Sequence, residues 1–283
     1  MTLPGAVAVI GGGRMGAGIA QLFATGGADV TVVEDGAEAG QAARGRIETG
    51  LARAAERGTL TEAPEKVLDR IELRSDPADI PAAVALVIEA VPEAAELKVA
   101  MLAAAEVAVG ETAVLASNTS SLSITELSAA LQRPERFLGL HFFNPVPVSQ
   151  LVEVVIGPQT ADAVRDLAVG WVRALDRTEV VVRDSPGFAT SRLGVLLGLE
   201  AIRMLEEGVA DAASIDTAME LGYRHPMGPL RSSDLIGLDV RLAVAEYLHS
   251  RLGDRFAPPQ LLRDKVARGE LGRKTGRGFY EWR

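Results

Sequence analysis

A histidine and a glutamate near the middle of the chain have the side chains and the spacing for proton transfer. His141 is one of three histidines, and Glu153 follows twelve residues later inside the apolar run 151–156. A carboxylate in an apolar strand is costly to bury unless it is paired, and an imidazole is its natural partner. We predict neighbouring strands at 137–142 and 150–156 that bring the two side chains together. The alternative is a core histidine and a rim glutamate without a chemical role.

A glycine-rich turn close to the N-terminus has the spacing of a dinucleotide-binding loop. Gly11, Gly13 and Gly16 form the motif G-x-G-x-x-G between an apolar run at 6–10 and a predicted helix at 17–24. The first glycine allows a tight turn, the second lets the backbone approach a pyrophosphate, and the third lets helix and strand pack closely. The start of the helix offers N–H groups to the anion. This context predicts a nucleotide site rather than a turn that binds nothing.

The second predicted strand ends on an acidic residue that selects between cofactors. Glu34 follows the strand at 30–33 and can accept hydrogen bonds from the adenosine ribose hydroxyls. The same carboxylate would repel a 2′-phosphate, and Asp35 and Gly36 provide no arginine to bind one. The sequence therefore predicts NAD rather than NADP as the cofactor.

Charged residues follow a further predicted strand at 84–88. They are Glu89, Glu93 and Lys98. Because ligands of doubly wound sheets bind outside the carboxyl ends of strands, these residues are candidate cofactor contacts. The alternative is that each is a charge in the first turn of a helix.

A serine-rich segment follows the predicted strand at 113–116. Ser123 and Glu126 follow this segment, at the start of the next predicted helix. They have the spacing of a capping box, so Ser123 is assigned a structural role. Asn118 and Ser120 are predicted to face the cleft instead.

A predicted helix at 37–57 carries a row of arginines. Arg46, Arg53 and Arg57 are seven and four residues apart, which places them on one helical face. Such a row is commonly a solvated face. In an acidic protein it is also a candidate patch for the phosphates of a second ligand.

The composition limits the classes of protein to which the chain belongs. Its 283 residues are 48% hydrophobic and 24% charged, which are globular values, and the net charge of −9 argues against a broad nucleic-acid surface. The absence of cysteine excludes disulfides, thiolate chemistry and cysteine-bound metals, and no metal site is predicted. We find no room for a signal peptide and no apolar run of membrane length, so we expect a soluble, cytoplasmic protein.

The chain is predicted to fold as an α/β protein with two domains. Residues 1–184 are predicted to form an NAD-binding domain of Rossmann type, with a helical insertion at about 37–68. Residues 185–283 are predicted to form an all-helical substrate and dimerisation domain, because the pattern after the D-S-P-G segment at 184–187 is helical. The run 193–205 is apolar on most sides, so a second subunit is expected to cover part of that surface in a homodimer.

Segments throughout the sequence match those of one enzyme family. They are I-G-G-G-R-M-G-A-G-I-A-Q (10–21), E-A-V-P-E (89–93), S-N-T-S-S-L (117–122), H-F-F-N-P-V (141–146), L-V-E-V-V (151–155), S-P-G-F (185–188), H-P-M-G-P-L (225–230), G-L-D (237–239) and G-R-K-T-G-R-G-F-Y (272–280). Over essentially its whole length the chain resembles the 3-hydroxyacyl-CoA dehydrogenases, in the single-function short form often called 3-hydroxybutyryl-CoA dehydrogenase.

This resemblance implies NAD-dependent oxidation of a 3-hydroxyacyl thioester to the 3-ketoacyl thioester, and the reverse reaction. By position in the motifs, His141 would be the general base, Glu153 its charge partner and Ser120 a hydrogen-bonding partner of the substrate. The resemblance assigns cofactor contacts to Gly11, Gly13, Arg14, Met15, Gly16, Glu34, Glu93, Lys98 and Asn118. It assigns further substrate contacts to Asn144, Ser191 and Arg57, with Arg57 near the phosphates of coenzyme A.

The sequence departs from the family pattern on the substrate side. The S-P-G-F segment normally continues to an asparagine that points into the active site, whereas Ser191 stands at that position here. A hydroxyl is shorter than a carboxamide and lacks its two-donor amino group, so the change either favours a different acyl group or is simply tolerated. Gly50 stands where some members have a serine that contacts coenzyme A.

Two other functions are compatible with the sequence. The same chemistry could act on acyl groups held by an acyl carrier protein, whose phosphopantetheine or acidic surface Arg57 and its helix face could bind. Alternatively, the chain could be a nucleotide-binding structural protein that has lost catalysis, although the set Ser120, His141 and Glu153 argues against this.

Overall fold

The structure, a computed structural model, describes residues 2–282, and a single sheet of eight strands dominates its first part. The strands are β1 (Ala6–Ile10), β2 (Asp29–Val33), β3 (Ile71–Arg74), β4 (Leu86–Glu89), β5 (Val114–Ser117), β6 (Phe137–Phe142), β7 (Leu151–Ile156) and β8 (Thr178–Arg183). Their order in the sheet is β3-β2-β1-β4-β5-β6-β7-β8. All neighbouring strands are parallel except β6 and β7, which run antiparallel.

The central strands explain why the site forms where it does. The apolar runs of β1, β4 and β5 are buried along almost their whole length, as expected for a parallel sheet covered on both faces. The strand order reverses between β1 and β4, so the connections after these two strands lead in opposite directions. A ligand-binding crevice is expected at the carboxyl ends of strands at such a switch point.

Six helices connect the strands of this first unit. They are α1 (Arg14–Thr25), α2 (Gly36–Glu56), α3 (Pro64–Leu68), α4 (Ala95–Ala108), α5 (Ile124–Ser128) and α6 (Asp162–Ala174). Within the segment 37–68, helix α2 ends at Glu56 and helix begins again only at Pro64. Proline suits the first helical turn but disfavours the helical conformation in the residue before it, and Ala63 is extended.

The second unit is helical and has its own hydrophobic core. The chain divides between Ser185 and Pro186. The helices that follow are α7 (Thr190–Glu206), α8 (Ala212–Gly222), α9 (Pro229–Ile236), α10 (Leu238–Leu252) and α11 (Gln260–Ala267). Leu199, Leu238 and Leu248 are among the fully buried residues of its core. Along residues 2–282, no helix is both long and apolar enough to cross a membrane.

The sequence pattern did not predict α9. The segment before it is rich in proline and glycine, but a carboxylate from another helix caps its start. Asp216 of α8 accepts hydrogen bonds from the backbone N–H groups of Leu230 at 2.8 Å and Arg231 at 2.9 Å. These N–H groups have no partner within the helix, so a buried acid distant in sequence stabilises α9 at its start.

Candidate active site

The glycine-rich loop between β1 and α1 lies at the switch point of the sheet. Gly11 has a φ of 93°, and a methyl group on it would lie 2.9 Å from the carbonyl oxygen of Ala90, which follows β4. A methyl group on Gly16 would overlap the carbonyl oxygen of Gly11. Next to Gly13 there is open space, and no side chain caps the start of α1. The N–H groups at this helix start are therefore placed to bind an anion.

A cavity of about 860 Å³ borders this loop. Arg14, Met15 and Glu34 contribute to its lining. The Oε1 atom of Glu34 accepts a hydrogen bond of 2.6 Å from the backbone N–H of Gly12, which holds the carboxylate against the loop at the end of β2. An acid in this place suits the ribose hydroxyls of adenosine. The residues of the loop and the cavity thus fit NAD.

A buried ion pair lies at the ends of β4 and β5. Lys98, only 1% exposed, donates to Oε1 of Glu89 at 2.7 Å and to the carbonyl oxygen of Val91 at 3.1 Å. Glu89 also accepts hydrogen bonds from the hydroxyl of Ser117 and the N–H of Val91. Burial raises the pKa of Glu89, and Lys98 opposes that rise. Glu89 is therefore part of the buried framework of the site and not a helix-end charge.

Glu93 joins this ion pair to the serine-rich segment after β5. Its Oε2 lies 3.2 Å from Nζ of Lys98, and its Oε1 accepts hydrogen bonds from the hydroxyl of Thr119 at 2.5 Å and the N–H of Ser120 at 3.0 Å. The hydroxyl of Ser120 is 3.4 Å from the same oxygen. Burial acts to raise the pKa of Glu93, but Lys98 and the hydroxyl donors outweigh it and the pKa is lowered. The carboxylate is thus charged and holds Ser120 in place.

Strands β6 and β7 place His141 directly opposite Glu153. The two residues are partners in the antiparallel register, and Nδ1 of His141 lies 2.8 Å from Oε2 of Glu153. They are 7% and 0% exposed. Opposed residues of antiparallel strands have neighbouring side chains, so the contact follows from the register. With Nδ1 donating to the carboxylate, Nε2 is the basic nitrogen of the neutral ring.

Asn118 connects the end of β5 to the strand that carries the histidine. Its Oδ1 accepts a hydrogen bond of 2.9 Å from the backbone N–H of Phe142. The side-chain oxygen therefore has a structural partner, and the contact of Asn118 with the cofactor stays a prediction. The amide nitrogen is the part that can donate to a ligand.

A second cavity, of about 830 Å³, is bordered by several cationic side chains. Its lining includes Asn144, which precedes a cis peptide bond, and the arginines Arg14, Arg46, Arg53 and Arg57. The arginine row predicted at positions 46, 53 and 57 thus borders a cavity in an acidic protein. One interpretation of this row from the sequence was a simple solvated face. Guanidinium groups bind phosphate oxygens well, so the cavity suits a phosphorylated ligand.

Two family descriptions together match almost the whole chain. Residues 6–185 match "3-hydroxyacyl-CoA dehydrogenase, NAD binding domain", and residues 187–282 match "3-hydroxyacyl-CoA dehydrogenase, C-terminal domain". The chain belongs to the 3-hydroxyacyl-CoA dehydrogenase family. The predictions of an NAD-dependent dehydrogenase of this family, with a Rossmann-type first domain and a helical second domain, are confirmed.

Similar proteins match over nearly their whole lengths. A probable 3-hydroxybutyryl-CoA dehydrogenase from Deinococcus radiodurans is 45% identical, with 97% of this chain and 99% of the relative covered. A 3-hydroxybutyryl-CoA dehydrogenase from Bradyrhizobium diazoefficiens is 42% identical, with 98% and 95% covered. The crystal structure of (S)-3-hydroxybutyryl-CoA dehydrogenase from Ralstonia eutropha matches with a TM-score of 0.94 and 41% identity over 99% of each chain.

One predicted substrate residue of this family member lies in the helical unit. Ser191 is in the first turn of α7 and is half-buried. The other predicted site residues all belong to the first unit. The contact of Ser191 with the acyl group stays a prediction.

Sequence reasoning missed Gln21 in the arginine-lined cavity. This residue of α1 is buried and contributes to the cavity wall, and a methyl group on Gly50 would overlap its side-chain oxygen. A serine at position 50 would therefore require Gln21 to move. The visible signal was a glutamine within the apolar run of α1, since a buried polar side chain needs a reason to be there.

Proposed function

We propose that this protein catalyses the reversible NAD-dependent oxidation of a 3-hydroxyacyl-CoA thioester, with 3-hydroxybutyryl-CoA as the reference substrate, to the 3-ketoacyl thioester. The observation that carries the proposal is the buried pair of His141 and Glu153, whose Nδ1 and Oε2 atoms are 2.8 Å apart. The names of the similar proteins from Deinococcus and Bradyrhizobium support the substrate class.

His141 is the proposed general base. Bound NAD supplies the acceptor for the hydride that leaves C3 of the substrate. Nε2 of His141 takes the proton of the 3-hydroxyl group as the carbonyl forms, and the ring becomes an imidazolium. Glu153, held at Nδ1, stabilises that positive charge and keeps the ring oriented, because the carboxylate has no exposure to water that would weaken the interaction.

Ser120 is the proposed partner of the substrate oxygen. Its backbone N–H and hydroxyl both face the charged Oε1 of Glu93, so the side chain starts from a defined position. A hydrogen bond from this hydroxyl would fix the alcohol so that its C–H bond points at the hydride acceptor. Glu93 is in turn held by Lys98. Lys98, Glu93 and the amide of Asn118 are the proposed contacts on the nicotinamide side.

Coenzyme A is the proposed carrier of the acyl group. Arg57, directly after α2, and Asn144 border the same cavity as Arg14 of α1 and the α2 residues Arg46 and Arg53. Four guanidinium groups around one cavity provide the bidentate donors that phosphate groups require. These contacts favour coenzyme A, whose three phosphates exceed the single phosphate of the carrier-protein arm.

The function is tested by following NADH absorbance with acetoacetyl-CoA. We expect NADH to be consumed with acetoacetyl-CoA, and at least tenfold more slowly with the acetoacetyl thioester of an acyl carrier protein. NADPH in place of NADH is expected to give a much lower rate, because Glu34 repels its 2′-phosphate. No NADH consumption with either thioester would contradict the proposal, and a preference for the carrier protein would reassign the substrate.

A homodimer is proposed through the helical unit. Large apolar side chains of this unit are exposed in the single chain, among them Leu193, Leu221, Tyr223 and Ile236. Large apolar side chains left in water are costly when they form a patch, and such patches commonly mark an interface. Light scattering in dilute solution is expected to give twice the chain mass of 29.8 kDa. The mass of one chain across the concentration range would count against the dimer.

A further inference from the structure

Gln21 of α1 carries a buried carboxamide without a hydrogen-bond partner. The residue is only 4% exposed, and its amide forms no hydrogen bond with any other residue in the described range 2–282. A carboxamide has two N–H donors and an oxygen acceptor, and burying such a group unpaired costs free energy. Its neighbours along α1 are buried residues with small or apolar side chains. The amide therefore indicates a partner that this helix does not provide.

The carboxamide borders two adjoining cavities of the first unit. Gln21 lines the arginine-lined cavity of about 830 Å³ and a neighbouring cavity of about 440 Å³, and both are also lined by Arg57, Pro147 and Val148. Oγ1 of Thr25, one turn further along α1, is sealed from solvent, whereas the polar atoms of Gln21 are not. The unused donors and acceptor of Gln21 are therefore open to a molecule in the arginine-lined cavity.

A glycine of α2 makes room for this carboxamide. A methyl group on Gly50 would lie 2.1 Å from Oε1 of Gln21, so a side chain at position 50 would displace the amide. Glycine inside a helix is unfavourable, because its backbone loses more conformational freedom on folding than that of alanine. Gly50 lies between Arg46 and Arg53 on one face of α2. The row of arginines is thus interrupted at the point where α2 faces the amide.

The same cavity is cationic. Arg14, Arg46, Arg53 and Arg57 line it, and within the described range no acidic residue does so. None of these four arginines forms an ion pair with a residue among 2–282. Guanidinium groups without counter-charges around a cavity attract phosphate. The cavity therefore suits a ligand that has both phosphate groups and a polar group for the carboxamide.

The carboxamide favours adenine as that polar group. A glutamine side chain forms two hydrogen bonds to adenine, whose 6-amino donor and ring-nitrogen acceptor lie side by side. A trans amide, as in a pantetheine arm, presents its N–H and its oxygen on opposite sides, so it satisfies only one of them at a time. Ala17, Gly18 and Val146 in the lining offer apolar surface to the faces of a flat ring.

We infer that Gln21 is a specificity-determining residue that hydrogen-bonds the adenine base of a phosphorylated nucleotide in the arginine-lined cavity. Nε2 donates to a ring nitrogen of adenine and Oε1 accepts from its 6-amino group, while the arginines of the cavity bind the phosphates. This inference rests on the proposed function in one respect, since it identifies the nucleotide as the adenosine part of coenzyme A. Gln21 then selects coenzyme A over the phosphopantetheine arm of a carrier protein, which has no base.

The test measures the binding of two probes by isothermal titration calorimetry. The probes are adenosine 3′,5′-bisphosphate and 4′-phosphopantetheine, and the protein is saturated with NADH so that neither probe enters the cofactor cavity. Gln21→Met keeps the length of the side chain and removes the amide. We expect it to weaken binding of the bisphosphate by roughly 5- to 50-fold, the effect of two hydrogen bonds to one base. Binding of 4′-phosphopantetheine is expected to stay within about twofold of wild type, because this probe has no base to lose contact with.

Two further variants separate recognition from packing. Thr25→Val is the matched control, because it removes another unpartnered polar atom from the same face of α1. It is expected to leave the affinity for both probes within about twofold of wild type, because Oγ1 of Thr25 does not reach the cavity.

Gly50→Ala keeps Gln21 but moves its amide, since the added methyl group meets the flexible end of the side chain. This variant is expected to weaken binding of the bisphosphate several-fold. Alanine favours helix over glycine, so Gly50→Ala decides the question where Gln21→Met does not fold.

The possible results separate the inference from the proposed function. Equal losses for both probes, no loss for the bisphosphate, or no binding of the bisphosphate to wild type would overturn the role of Gln21. A loss confined to 4′-phosphopantetheine would also overturn it, because the amides of the arm would then be the partner. Turnover of acetoacetyl-CoA by wild type in these cases leaves the dehydrogenase function in place. A loss confined to the bisphosphate, in a protein that does not turn over acetoacetyl-CoA, would uphold the inference and overturn the proposed function.

Discussion

Replacement of His141 by alanine is expected to lower kcat with acetoacetyl-CoA by about 10²–10⁴-fold. The imidazole is the proposed group that exchanges a proton with the substrate oxygen, and alanine offers no substitute for it. The affinity for NADH is expected to change little, because the proposed cofactor contacts in the glycine-rich loop and at Glu34 follow β1 and β2, whereas His141 lies in β6. Steady-state absorbance assays measure the rate, and the quenching of protein fluorescence by NADH measures the affinity.

Glu153→Gln is the control for this prediction. Glutamine keeps the size of the side chain and can accept a hydrogen bond from Nδ1, but it carries no charge to stabilise the imidazolium. Its kcat is expected to fall in the same direction, with KM within about threefold of wild type. A rate near wild type in His141→Ala would remove His141 from its role. His141→Gln, which can still donate to Glu153, separates a catalytic loss from an unpaired buried carboxylate.

Lys98→Met is expected to lower the free energy of unfolding by about 3–5 kcal/mol at pH 7, the effect of removing one partner of a buried ion pair. The variant leaves Glu89, which is fully buried, without its nearest cation. Denaturant unfolding of the protein without cofactor measures the change. A loss below 1 kcal/mol would mean that water or another cation reaches Glu89.

The pH dependence of this loss has a defined sign. Burial already raises the pKa of Glu89, and removal of Lys98 raises it further. A carboxyl group whose folded pKa lies above its unfolded value loses stability as the pH rises between the two. The deficit of Lys98→Met is therefore expected to shrink as the pH falls towards about 4.3. The double variant Lys98→Met/Glu89→Gln, which has no buried charge at position 89, is expected to recover most of the loss at pH 7.

Parts of the site were predictable because their geometry is local. The spacing of Gly11, Gly13 and Gly16 predicts a nucleotide-binding loop, because each glycine is required by the backbone geometry of the same turn. The contact between His141 and Glu153 was also predictable, because two apolar runs joined by a short connection pair in register. The predicted bounds of β6 agree with the structure, and those of β7 differ by one residue.

The sequence by itself determined the family, the cofactor and most of the strands and helices, because short motifs and hydrophobic periodicity report on neighbouring residues. Only the tertiary structure decided which buried charges have partners. Glu89 accepts a hydrogen bond from Ser117, 28 residues away, and Asp216 caps the helix that begins 14 residues further on. Burial and pairing depend on how distant elements pack, so the sequence alone does not distinguish the buried, paired Lys98 from a lysine on the surface.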